Sequence, residues 1–242
     1  MVETVTAIPN QEVAKRTSPL IVELVGPAGA GKSTLSRVLS QRYKNMVIGP
    51  DIQLRKMGHI SIFIKNIPFV MPMYFYRGPW NRRFTWEELK YVVYLKGWPS
   101  LLKQQAANRG NVILLDHGPV FRLATLLEFG PMQLRNVAFE TWWNQLYRQW
   151  ALTLDMIIWL DTSDPILVDR INRRNQGHEM KGKGISDTQP FLTRYRMSYL
   201  RTLDKMKTYK EPILLHFNTN QASVEQIADA ILVACRSKLN GN

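Results

Sequence analysis

Five short apolar runs punctuate the chain. Leu20-Ile-Val-Glu-Leu-Val25 is rich in β-formers and mostly apolar, the composition of a strand covered on both faces of a parallel sheet. Asn111-Val-Ile-Leu-Leu-Asp116 and Asp155-Met-Ile-Ile-Trp-Leu-Asp161 each end on a carboxylate. Pro212-Ile-Leu-Leu-His-Phe217 has the same character, and Asn45-Met-Val-Ile48 is a weaker case. Helical periodicity fills the intervals: Ser33 to Tyr43, Trp86 to Asn108, Gln133 to Trp150, Pro165 to Arg174, Pro190 to Tyr209 and Val224 to Leu239. Strands alternating with helices imply an α/β fold, a parallel sheet with helices on both faces. No internal repeat, low-complexity block or linker divides residues 19–242, so one domain is expected behind an N-terminal tail, residues 1–18.

The segment Ile60 to Tyr76 departs from this rhythm. It is apolar and aromatic, with Arg77, Arg82 and Arg83 close behind, but Lys65, Asn66, Pro68 and Pro72 interrupt it and it is short for a membrane span. Tyr74, Tyr76, Trp80, Phe84, Trp86, Tyr91, Tyr94 and Trp98 extend the aromatic character. At helical spacing such a stripe is first of all core. An aromatic acceptor pocket and a peripheral membrane patch over 60–83 are the other two readings.

Composition narrows the class. The 242 residues suit one large α/β domain, and 45% hydrophobic with 10% aromatic residues is enough for a substantial core. A single cysteine, Cys235, excludes a disulfide-stapled module and a Cys-based zinc site, while His59 and His216 are too scattered for a metal cluster. The first 18 residues lack a basic stretch followed by an apolar run, which makes a cytoplasmic location the expectation. The surplus of 32 Lys+Arg over 19 Asp+Glu, net +13, calls for an anionic partner without choosing among nucleotide, nucleic acid and acidic lipid.

One motif does choose. Gly26-Pro27-Ala28-Gly29-Ala30-Gly31-Lys32-Ser33 fits G-x-x-x-x-G-K-[S/T] between a predicted strand and a predicted helix. Glycines let backbone N–H groups turn toward phosphate oxygens, and the helix N-terminus adds its partial positive charge. Lys32 would bridge the β- and γ-phosphates, Ser33 would ligate Mg²⁺, and Thr34 could touch the α-phosphate. The guanine-reading Asn-Lys-x-Asp of GTPases is missing from the sequence, and a large motor ATPase would need more chain.

The extra glycine, Gly29, and the run Gly31-Lys32-Ser33-Thr34 resemble the small P-loop kinases of nucleosides, nucleotides and related metabolites, such as adenylate and thymidylate kinases. Leu114-Leu115-Asp116-His117-Gly118-Pro119 with Arg122 is similar to their signature after strand three. Arg170-Ile-Asn-Arg173-Arg174 and the Gly- and Lys-containing loop behind it are similar to their lid, here residues 173–189. Asp51, in Gly49-Pro50-Asp51, occupies the place of their acidic acceptor or base residue. The resemblance implies a five-stranded parallel sheet in the order 2-3-1-4-5, a short Arg-rich lid, and an acceptor-binding helical segment over 59–109. His117 stands where thymidylate and deoxynucleoside kinases carry an arginine, which loosens the inference to a nucleoside acceptor.

The residues keep alternatives open. Asp116, at a carboxyl strand end, could hold Mg²⁺, accept the acceptor's proton, or cap the helix at Pro119. Asp51 fits a base or a cap equally well. Arg170 and Arg174 share a helix face beside Arg173, as catalytic or ATP-stacking groups or as a solvated stripe. His178, Lys181 and Lys183 lie on the lid loop, and Arg194, Arg196 and Arg201 face either the cleft or plain surface. Asp161 and Asp164 read as caps of the helix at Pro165. The leading expectation is an ATP- and Mg²⁺-dependent kinase acting on a small-molecule acceptor, with oligomeric state open. A polynucleotide 5′-hydroxyl kinase is the second, motivated by the charge but without a nucleic-acid module signature. A non-catalytic ATP-binding switch is the third.

Overall fold

The computed structural model describes residues 18–49, 60–61, 64–66, 68, 82–106, 112–175 and 177–240. Asp51 and Tyr74, Tyr76 and Trp80 of the aromatic segment lie outside the described residues, as does most of the 60–83 stretch. In chain order the described elements are β1 Leu20–Val25, α1 Lys32–Arg42, β2 Met46–Ile48, α2 Trp86–Ala106, β3 Val112–Asp116, α3 Pro119–Phe129, α4 Glu140–Thr153, β4 Met156–Asp161, α5 Asp164–Arg173, α6 Ile185–Lys207, β5 Ile213–Asn218 and α7 Val224–Leu239.

The sheet is parallel throughout, in the order β2-β3-β1-β4-β5. β1 is buried at every position because it is central and covered on both faces. Leu20, Val22 and Leu24 face one core with Leu35 and Leu39 of α1, Leu167 of α5 and Ile227 and Ile231 of α7. Ile21 and Val25 face the other, with α2, α3, α4 and the second half of α6. There the ring of Tyr94 stacks on Trp98 at 4.8 Å and on Trp150 at 5.8 Å, all three fully buried. Within the described part of the aromatic segment, then, these rings are core rather than pocket.

Local chemistry sets the element boundaries. Thr85 and Glu88 exchange backbone and side-chain hydrogen bonds at the start of α2, a capping box, and Ser223 with Gln226 does the same for α7. Helix α4 begins at Glu140 instead of Gln133, since two 3₁₀ turns, Met132–Arg135 and Val137–Phe139, precede it. Asn136 accepts the Ala138 N–H and breaks the helix there. Helix α6 starts at Ile185, ahead of Pro190, because Thr188 closes the first turn onto the Gly184 carbonyl with both N–H and hydroxyl. Among the described residues, no helix is long and apolar enough to cross a membrane.

Order β3-β1-β4 places β1 where the connections diverge to either side. The carboxyl ends of β1 and β3 lie side by side, with Leu24 paired to Asp116. Open α/β sheets bind their ligands at such a point.

Candidate functional site

β1 ends at Val25 and runs directly into the glycine loop. Its backbone takes conformations that side chains rarely adopt, with φ +140° at Gly26, +82° at Gly29 and +94° at Gly31. At Gly26 space decides as well, because a Cβ would lie 2.0 Å from the Leu160 carbonyl oxygen. Gly31 is the N-cap of α1 and supplies no side-chain cap, so the first N–H groups of the helix are left for an anion.

Lys32 Nζ donates to the Gly26 and Pro27 carbonyl oxygens at 2.7 and 2.9 Å. The ammonium thus ties the loop to itself from a half-buried position. Burial pulls this lysine down to about 8; the Asp116 carboxylate opposes that pull and the Arg174 guanidinium adds to it.

Ser33 Oγ donates to Asp116 Oδ2 at 3.3 Å. The other oxygen, Asp116 Oδ1, is buried and meets no hydrogen-bond partner among the described residues. Two hard oxygen ligands side by side, one with an orphaned lone pair, fit Mg²⁺, which binds through one or two protein groups plus substrate phosphates and waters. The described residues contain no group of three or more His, Cys, Asp or Glu able to cage a metal by themselves. Asp116 does not cap the helix behind it. Gly118 occupies that N-cap, and the carboxyl group that receives the helix N–H groups is Glu23 of β1, accepting from Val120 and Phe121 at 2.9 and 3.0 Å.

A cavity of about 980 Å³ opens over the loop, bounded by Gly26, Ala28 to Arg37 in part, and by side chains from α3, α5, α6 and α7. Arg170 enters it and braces its wall, donating to Thr219 Oγ1 at 2.9 Å, Thr219 O at 3.2 Å and Gly29 O at 3.4 Å. Arg174 lines the cavity too, whereas Arg173 stands outside it, 80% exposed and paired with Asp169 at 2.8 Å. Pro27 is likewise absent from the lining, although its carbonyl holds Lys32. Of the loop residues behind α5, Asn175 and His178 line the cavity and Lys181 and Lys183 do not; Lys181 Nζ instead donates to Arg174 O at 2.6 Å. Burial first, then the Arg174 and Lys32 charges, push the His178 imidazole below its ordinary value, against Glu179.

The wall opposite the glycine loop is aromatic and was not foreseen. Phe191, Tyr195 and Tyr199 project from one face of α6 at spacing of four, and His117 of the β3–α3 turn and Phe121 of α3 join them. Phe191 and Tyr195 lie 4.9 Å apart and His117 and Phe121 4.5 Å apart, and the Tyr199 hydroxyl donates to Gly26 O at 3.3 Å. The signal was present as a four-residue aromatic repeat, but nothing in the sequence said which face of α6 meets the loop. His117 holds φ +57°, the only positive value outside glycine among the described residues. That conformation suits a tight strand-to-helix turn.

Three further basic residues turn away from the cleft. Arg196 is bound to Asp161 and Asp164, and Arg194 and Arg201 both reach Glu128. Asp161 and Asp164 are therefore anchors for α6 and not caps of α5, whose N-cap is Ser163. Arg122 is buried, with its guanidinium 3.7 Å from the Tyr94 ring centroid.

The architecture is that of the P-loop kinases: five parallel strands in the order 2-3-1-4-5 with the glycine loop after the first. No protein-family model and no curated protein sequence matches the chain. Solved structures do. A deoxyadenosine kinase from M. mycoides, with products dCMP and a flexible dCDP bound, matches at 15% identity and a TM-score of 0.53, covering 90% of this chain and 100% of that one. Thymidylate kinase from Candida albicans matches at 15% identity and a TM-score of 0.53, over 93% of this chain and 94% of its own. The YorR protein of Bacillus subtilis, in complex with phosphorylated GDP, matches at 15% identity and a TM-score of 0.50, over 90% and 96%. At these identities the likeness establishes the fold.

Proposed function

We propose that the chain is a phosphotransferase of the nucleoside and nucleotide kinase type, moving the γ-phosphoryl group of ATP to a small-molecule acceptor. The observation that carries this reading is the Ser33–Asp116 contact beside Lys32, at the carboxyl edge of the central strands. The buried, unpartnered Asp116 oxygen beside Ser33 supports a Mg²⁺-bound nucleoside triphosphate at this loop, and the cavity extending from it to the aromatic wall supports a second substrate.

In this reading the N–H groups of Gly29 to Thr34 and the start of α1 receive the ATP phosphates. Lys32 releases Gly26 O and Pro27 O and turns to the β- and γ-phosphates. Ser33 and Asp116 would hold Mg²⁺, which would supply charge neutralisation at the phosphate oxygens. Arg174 faces the moving group, while Arg170, braced on Thr219, lies along the donor nucleotide. The acceptor oxygen forms a bond to the γ-phosphorus as the bond to the ADP oxygen breaks. The acceptor's proton passes to a carboxylate, for which Asp51 and Asp116 are the candidates. Rate enhancement comes chiefly from positioning and charge neutralisation. The wall of Phe121, Phe191 and Tyr195 supports an acceptor with a flat or apolar face.

The test is an acceptor screen with γ-labelled ATP and Mg²⁺, using Lys32→Ala as control and a panel of nucleosides, nucleoside monophosphates, sugars, polyprenols and 5′-hydroxyl oligonucleotides. Lys32-dependent label on a nucleoside or nucleotide is the expected result. Label on an oligonucleotide alone would replace the acceptor class. ATP binding indifferent to Lys32→Ala, with no labelled product, would overturn the kinase reading.

A further inference from the structure

Glu23 interrupts the apolar run of the most buried strand, yet it has no solvent exposure at all. A carboxyl group is kept in such a place only where it meets partners that repay its desolvation. Here both oxygens are used, on the N–H groups of Val120 and Phe121 at 2.9 and 3.0 Å. Those are among the first N–H groups of α3, which its own N-cap Gly118 cannot serve. The carboxyl group also lies directly on the turn's backbone, since a Cβ at Gly118 would fall 2.6 Å from Glu23 Cδ. Burial pushes the Glu23 carboxyl group up to about 8, against the pull of the Phe121 and Val120 N–H groups and of the buried Arg122, the next residue along α3.

The turn in question carries the site. Asp116 is held at one end by the ladder, opposite Leu24. Val120 and Phe121 are held at the other by Glu23, and between the two anchors His117 takes its left-handed conformation. We propose that Glu23 is a positioning residue of this turn: by holding the start of α3 against β1 it fixes the Asp116 carboxylate opposite Ser33. This rests on the phosphotransferase reading, in which that pair holds Mg²⁺. Glu23 touches no ligand and acts through the backbone of residues 116–121.

The experiment compares the full chain with Glu23→Gln and Gly118→Ala. Gln at 23 keeps one acceptor and places an amide donor against the second N–H. Ala at 118 presses a methyl group onto the same carboxyl group from the opposite side. ATP affinity is measured by calorimetry in excess MgCl₂ and in EDTA, with hydrogen exchange at Val120 and Phe121 followed in parallel. Glu23→Gln is expected to speed exchange at the two amides, leave affinity in EDTA unchanged, and cut the gain that Mg²⁺ gives to ATP affinity about tenfold, the lower end of what losing an outer partner costs a metal site. Gly118→Ala gives the same signature, and the double variant is not additive. A purely structural Glu23 lowers melting temperature and leaves the Mg²⁺ gain intact, which overturns the assignment; so does wild-type exchange at both amides. If Glu23→Gln does not fold, Gly118→Ala decides on the same readouts. Wild-type protein that binds no ATP in either buffer overturns the kinase reading and the assignment with it. Mg²⁺-dependent binding in wild type that persists unchanged in both variants overturns the assignment alone.

Discussion

Arg196 fastens α6, and hence the aromatic wall of the cavity, to the end of β4. Its guanidinium donates to Asp161 Oδ2 and Oδ1 at 2.7 and 2.9 Å, to Asp164 Oδ1 at 2.6 Å and to Thr162 O at 3.0 Å. The side chains are 22%, 16% and 14% exposed for Arg196, Asp161 and Asp164. Arg196→Met keeps most of the stem and leaves two half-buried carboxylates without their cation. Breaking a buried pair costs about 3–5 kcal/mol and an exposed one about 0–1, so the partial exposure here places the loss near the lower bound of the first, about 3 kcal/mol. For a chain of this size that lowers Tm by about 6–12 °C. In the proposed phosphotransferase, ATP affinity should fall too, because Tyr199 and Tyr195 move with the helix. The assay is urea and thermal unfolding of wild type, Arg196→Met and the triple variant Arg196→Met/Asp161→Asn/Asp164→Asn. Neutralising both carboxylates should recover part of the loss, and molar salt should leave the wild-type advantage largely in place, as screening acts weakly on buried pairs. A loss under about 1 kcal/mol, or one erased by salt, would show the network to be ordinary surface pairing and refute the reasoning.

Three more outcomes follow from the same geometry. Lys32 is lowered from 10.5 to about 8, so the unfolded chain binds more protons between those values and native stability rises as pH climbs through that window. Lys32→Met should therefore stabilise the ligand-free protein at pH 7, by on the order of 2 kcal/mol, with the gain shrinking toward pH 10; a variant less stable than wild type at pH 7 contradicts this. Gly26→Ala should abolish ATP binding or folding, since its methyl would sit 2.0 Å from Leu160 O, while Gly29→Ala, at 3.0 Å from Leu167 O, should be milder in equilibrium binding. Trp98→Ala removes a fully buried ring stacked on Tyr94 and should cost about 3–5 kcal/mol in urea unfolding, with near-wild-type ATP affinity in the surviving folded protein.

Much of this molecule was readable along the chain. The strand cores fall within a residue or so of the apolar runs; β1, β3 and β4 are buried on both faces and so need nearly continuous apolar sequence, whereas the edge strands β2 and β5 are partly exposed. The glycine loop was readable because its φ values admit almost nothing else. Helix starts were less so: Asn136 and Thr188 moved two of them through side-chain bonds that compete with the regular ladder. Roles assigned by position failed where the partner came from elsewhere. Asp161 and Asp164 sit where caps belong but are taken by Arg196, 32 and more residues away. Arg173 and Arg174 are neighbours in sequence, yet one points to solvent and the other into the cavity, because α5 ends between them.

Local sequence, then, determined what depends on short-range sterics and patterning: strand, loop and helix order, the glycine turn, and the Lys32–Ser33 pair within it. Tertiary structure alone decided what depends on which distant surfaces meet. It put Ser33 against Asp116, brought the aromatic face of α6 to the cavity, and set the cap of α3 on Glu23, a residue 97 positions earlier. Those pairings arise from the strand order and from the burial of both sheet faces. They are long-range consequences that no local window of sequence contains.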